Sequence, residues 1–212
     1  MDKTTKTLFG GALLSAGMVA NASAQSFTLP GNVPPYPDTV VSGYVYDFYA
    51  IGPYADGGAS ENGGFGDSYS ISNAYGSASS SITSNQLSAS SDGFGNTDSL
   101  GGAFAQAYGY LGVTQDGQLD LAWDFTGEGG FGPLGNITVV DWSAGGVLVF
   151  ETDAFTAGTA SLNLLAGVNY GINLVATSAQ DTSAFATATL IPAPASAALM
   201  GLAGLAAARR RR

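Results

Sequence analysis

Cysteine and histidine are both absent from this chain of 212 residues. Their absence excludes disulfides, thiolate nucleophiles and zinc–sulfur sites, and it removes the commonest general base and transition-metal ligand. Basic residues are almost as scarce. Lys3 and Lys6 stand at the start, Arg209, Arg210, Arg211 and Arg212 at the end, and none lies between. Within that interval a serine nucleophile has no ordinary base, and an oxyanion or phosphate has no cationic partner. Of the 16 acidic residues, all but Asp2 fall between Gln25 and Ile191, which gives that stretch a formal charge of −15. Such a surface repels nucleic acid and anionic lipid and attracts cations, so no nucleic-acid partner is expected.

What is present begins with the two ends. Lys3 and Lys6 precede an apolar run of 13 residues, Leu8 to Ala20, and Ala22, Ser23 and Ala24 supply small residues ahead of Gln25. This is the three-part pattern of a secretory signal, recognised by the Sec export machinery and cleaved after Ala24. At the other end Pro192, Ala193 and Pro194 lead into the 14 residues Ala195 to Ala208, of which only Ser196 is polar, and then into the four arginines. As a helix this run reaches about 21 Å, short of a hydrocarbon core of about 30 Å. Counting back to Leu190 and letting the arginines snorkel completes a membrane anchor. The basic residues hold both ends on the cytoplasmic side and leave everything between them outside.

Pro192-Ala193-Pro194, the apolar stretch and the cluster Arg209-Arg210-Arg211-Arg212 resemble the tripartite PEP-CTERM sorting signal of bacterial exported proteins, with Ala193 where that family usually has Glu. The resemblance covers only this last segment. It implies an exosortase-like processing enzyme as partner, removal of the tail, and delivery to the cell surface or to an extracellular polysaccharide matrix. With Ala193 at that position two outcomes are compatible with the segment: removal of the tail, or permanent anchoring in the inner membrane with the folded part outside.

The chain therefore divides into a signal over 1–24, a proline-rich lead-in over 25–38 that reads as an extended spacer, a folded domain over 39–191 and the sorting segment over 192–212. From Thr39 onward the apolar pattern has period two, with glycine-rich turns between the runs, which predicts an all-β domain. Leu119, Leu121, Trp123 and Phe125 share one face of a strand, with Asp120 and Asp124 on the other, and this assigns Trp123 to the core. Ala103 to Tyr110 continues the alternation. Ile137 to Val140 and Val147 to Phe150 suit buried strands, and Ser161 to Leu165 with Tyr170 to Thr177 reads as a hairpin. The serine-rich stretch from Asp67 to Ser91 reads as strands as well. Roughly eight to ten strands are expected, in an antiparallel β-sandwich of which the jelly roll is one arrangement.

Three kinds of chemistry survive the exclusions. No cofactor is required, and calcium is the one that the composition suits: Asp92, Asn96 and Asp98 offer hard oxygen ligands in one glycine-containing loop, with Asp116 opening another, while the same residue types equally form a solvated acidic turn without metal. A sugar reader needs an exposed aromatic platform, and Trp142, at a strand end after Asp141, is the candidate; Tyr54 and Phe65 lie in a glycine-rich loop. A glycoside hydrolase would use the carboxylates of Asp120, Asp124 and Glu128. Asn136-Ile137-Thr138 matches a glycosylation acceptor that a bacterial-looking chain would leave unused. The leading expectation is a non-enzymatic, exported β-sandwich displayed at the envelope, with a carbohydrate- or calcium-binding module as the alternative and polysaccharide as the partner.

Overall fold

Small and β-branched residues in strict alternation, broken every few residues by glycine, serine or asparagine, give short extended segments joined by tight turns. The computed structural model describes residues 26–31, 38–47, 54–60, 64–96, 99–126 and 134–192. In chain order they form β1 (Phe27–Thr28), β2 (Thr39–Asp47), β3 (Tyr54–Ser60), β4 (Ser68–Asn73), β5 (Gly76–Ile82), β6 (Gln86–Gly93) and β7 (Gly95–Asn96). These are followed by β8 (Ser99–Val113), β9 (Gly117–Asp124), β10 (Leu134–Asp141), β11 (Val147–Glu151), β12 (Ala157–Leu164), β13 (Tyr170–Ala179) and β14 (Ser183–Pro192). The described residues thus hold fourteen strand segments rather than eight to ten. The serine-rich stretch alone yields three, β4 to β6, and β1 and β7 are only two residues long.

Two antiparallel sheets enclose one core. The first runs β11-β10-β13-β8-β2-β3, with β1 and β7 also pairing with β8, and the second runs β12-β9-β14-β6-β5-β4. From β8 to β14 the chain crosses between the sheets at every connection except the β10–β11 hairpin. No helix among the described residues is long and apolar enough to cross a membrane.

The core is graded in side-chain size. Toward β5, β6, β8 and β14 it is lined largely by alanine, with Ala78, Ala89, Ala105, Ala107 and Ala186 almost wholly buried. Larger groups, among them Leu119, Leu121, Ile137, Leu164, Ile172 and Leu174, come from β9, β10, β12 and β13. Phe125 is fully buried and lies so close to Gly135 that a Cβ there would meet its ring at 2.1 Å. Close packing of this kind leaves no tolerance for an added methyl group.

Four expectations are corrected. The run Val147 to Phe150 is not a buried strand: β11 is the outermost strand of its sheet, and Val147, Leu148 and Val149 are exposed, with only Phe150 turned to the interior. Ser161–Leu165 and Tyr170–Thr177 are not a hairpin, since β12 pairs with β9 and β13 with β10 and β8. The lead-in is not only a spacer, because Phe27 is buried and pairs with Val113. Leu190 cannot open a membrane helix, because it lies in β14 opposite Leu119 and is buried in the core.

Candidate functional site

The outer face of the first sheet is where the pattern of β8 acquires meaning. In Ala103-Phe104-Ala105-Gln106-Ala107-Tyr108-Gly109-Tyr110 it is the alanines that point inward, fully buried, while Phe104, Gln106, Tyr108 and Tyr110 occupy the outer face. Turning a phenylalanine out in favour of alanine forgoes roughly 1.5–3 kcal/mol of apolar burial. The thin core explains the alanines, since facing strands that also carry alanine leave no room for rings.

The rings outside form an organised row. Tyr44 of β2 stands opposite Phe104, with ring centroids 6.2 Å apart and a tilted geometry. One step along, Gln106 Nε2 donates to Asn173 Oδ1 at 2.8 Å, across β8 and β13. Next come Tyr108, opposite Asn173, and Tyr110, opposite Gly171. The Trp142 indole hydrogen-bonds Tyr108. Burial pushes the Tyr108 phenol above its ordinary value, Tyr110 and the Asp38 carboxylate add to the rise, and the Trp142 hydrogen bond offsets part of it. Tyr108 is therefore a neutral phenol, able both to donate and to accept, throughout the ordinary pH range.

Trp142 is positioned by its turn. The Asp141 carboxylate accepts from the Ala144 N–H at 3.0 Å, the Trp142 N–H donates to the Asn169 carbonyl at 2.9 Å, and the Gly146 N–H donates to the Asp141 carbonyl at 3.0 Å. Gly145 and Gly146 adopt φ of 81° and 88°, the left-handed region that glycine enters without strain. The indole lies over Gly171, where an added Cβ would meet Nε1 at 2.5 Å, and its far edge reaches Gly146. Half of the side chain, 49%, stays exposed. Trp123 is different: it packs edge-on against Phe150 at 5.9 Å, its Nε1 donates to Thr156 Oγ1 at 3.1 Å, and it is half-buried at the border of the core rather than within it.

The other residues singled out by the sequence do not gather into a site. Asp92 sits within β6, not in a loop, and its carboxylate accepts from Ser77 Oγ at 3.1 Å. Asn96 lies in β7, and Asp98 falls outside the described residues. Asp116 accepts from the Ala166 N–H at 2.8 Å. Among the described residues no group of three or more acidic side chains is placed to hold a metal ion. Asp120 accepts from Gln118 Nε2 at 2.6 Å and Ser161 Oγ at 2.7 Å, and Asp124 from the Thr126 hydroxyl at 2.6 Å and its N–H at 2.9 Å. These hydrogen bonds hold both carboxyls below the usual carboxylate range. A glycosidase acid needs the opposite shift. Glu128 lies outside the described residues.

Tyr54 belongs to β3 rather than to a loop, and Phe65 packs against the core. Asn136 donates to Glu151 Oε1 and accepts from Thr138 Oγ1. The residues of the two terminal signals fall almost wholly beyond the described fold. Ala22, Ala24 and Gln25 at the cleavage point lie outside the described residues, as do Ala193, Pro194 and the four arginines Arg209, Arg210, Arg211 and Arg212. Pro192, expected to open the sorting segment, instead ends β14, where it pairs with Gly117. Sequence reasoning singled out Trp142 and did not single out Tyr44, Phe104, Gln106, Tyr108, Tyr110 and Asn173, which share its face. Period two put the β8 residues on one face, and the alanines between them were the signal that this face points outward.

No protein-family model matches the chain, and no match exists among the curated proteins.

Proposed function

We propose that this is an exported β-sandwich protein of the cell surface or its polysaccharide matrix, and that it works by holding glycan on the outer face of the first sheet, without bond-making chemistry. The observation that carries the reading is Trp142: a half-exposed indole, seated on Gly171 and tied to Tyr108, at the end of a row of outward aromatic and amide side chains. Flat rings cover the apolar faces of sugar rings while phenols and amides reach their hydroxyls, and both are present here on a rigid sheet. The strand path through β6 and β8 to β14 reads as a jelly roll, an arrangement that lectin domains also use, although a fold by itself assigns no ligand. Export rests on the signal over 1–24, and envelope retention rests on the segment that follows β14.

Two measurements test the reading. Fractionation of cells carrying the full chain should place it in the envelope or matrix, and deletion of 193–212, which leaves β14 whole, should release it to the medium. Identical distribution of both forms would overturn the sorting role. Retention of the purified body on polysaccharide should fall about tenfold or more for Trp142→Ala, a loss of roughly 1.4 kcal/mol. Gly171→Ala, which displaces the indole without removing it, should show the same direction of change.

A further inference from the structure

Resting on the glycan-binding reading, we infer that the ligand is a non-acidic glycan chain lying along β8, from the Trp142–Tyr110–Tyr108 cluster across Gln106 and Asn173 to Phe104 and Tyr44.

Length is the first argument. Residues on one face of a strand recur every two positions, so the row from Phe104 to Tyr110 covers about 20 Å, more than a single sugar ring fills. Its two ends are aromatic and its middle is polar. Tyr44 and Phe104 form one ring pair, and Trp142, Tyr108 and Tyr110 form the other cluster. Between them the Gln106–Asn173 bond uses one amide hydrogen and one carbonyl, which leaves the Gln106 oxygen and the Asn173 amino group for hydroxyls. An apolar–polar–apolar strip on a straight strand fits an extended polymer better than a compact ligand, which would fill a concavity.

Charge is the second. The Asp38 carboxylate lies beside the row, close enough to act on Tyr108, and no lysine or arginine exists anywhere between Lys6 and Arg209. An acidic polysaccharide would bring uronate or sulfate against a body of charge −15 with no cation to meet it. A second copy of this chain meets the same repulsion, whereas a chain bearing only hydroxyls or amides does not.

The test uses the exported body, residues 25–192, in affinity gels cast with uncharged polysaccharides (glucans, mannans and galactans) or with alginate. The polymer that retains the protein is then cut into a ladder of oligosaccharides for calorimetry. The expected result is retention by an uncharged polymer, none by alginate, and affinity that climbs with length. Tyr44→Ala and Gln106→Leu should weaken the long oligosaccharides about five- to tenfold and leave the shortest unchanged, whereas Trp142→Ala weakens all of them. Circular dichroism of each variant checks that the sheets are intact. Equal retention by alginate, or Tyr44→Ala without effect on the longest oligosaccharide, would overturn this inference and leave glycan binding at Trp142 standing. A dimer dispersed by Trp142→Ala in sedimentation would reassign the face to self-association. Failure of every polymer to retain the body would remove the glycan reading itself.

Discussion

Glycine at 171 and alanine at 103, 105 and 107 decide where aromatic rings can go: the first leaves a bare stretch of backbone on which the Trp142 indole lies, and the others thin the core until rings must stand outside. Neither effect is visible in a residue's own hydropathy, which places Phe104 and Trp142 alike inside. The acidic residues show a similar dependence on neighbours. Asp120 reads from sequence as one carboxylate of a catalytic pair, yet its hydrogen bonds from Gln118 and Ser161 favour the ionised form, and its folded value lies below the ordinary one. The stability this contributes is fully present above the unfolded value and is lost as pH falls through the folded one. In NMR titration the Asp120 carboxyl should therefore show an acid-shifted midpoint. Gln118→Ala should raise it more than Ser161→Ala, and Asp120→Asn should flatten the acid side of the melting curve.

At the scale of elements, the strands were legible because period two survives nearly everywhere, while partnership was not. Ala166-Gly167-Val168-Asn169 has the composition of a hairpin turn, but its backbone is engaged by other loops: Ala166 N–H by Asp116, Asn169 N–H by Ser143, and the Asn169 carbonyl by Trp142. The loop thus carries the chain from one sheet to the other, and nothing within five residues of sequence distinguishes that from a hairpin. Val147-Leu148-Val149 was misplaced for a related reason. An apolar run marks a strand, and its rank in the sheet is set by strands far away in sequence. The register of β10 and β11 shifts between Val139 and Val140, a bulge of the kind that discourages further pairing at an edge. The contrast is measurable by chemical denaturation. Leu148→Thr on this edge should change stability by no more than about 0.5 kcal/mol, and Leu174→Ala in the adjoining core should cost about 2–5 kcal/mol.

For the whole molecule the governing quantity is charge. Fifteen carboxylates between Gln25 and Ile191, with no cation among them, raise the free energy of the compact state by mutual repulsion. This field is legible from composition alone, and the fold decides only whether any part of it is focused into an ion site. The two possibilities separate cleanly. A diffuse field is screened by any salt, with a Debye length of about 10 Å at 0.1 M, so the melting temperature of the body should rise as sodium chloride is added from low ionic strength. At matched ionic strength magnesium and calcium should then act alike. A discrete oxygen-ligand site would prefer the larger, more flexibly coordinated ion, and calcium would stabilise the body beyond magnesium. Asp92 already engages its carboxylate with Ser77 within β6. The expected result is therefore equal shifts for the two divalent ions, read by calorimetry, and a calcium-specific excess abolished by Asp98→Asn would instead place an ion in the loop that the sequence marks.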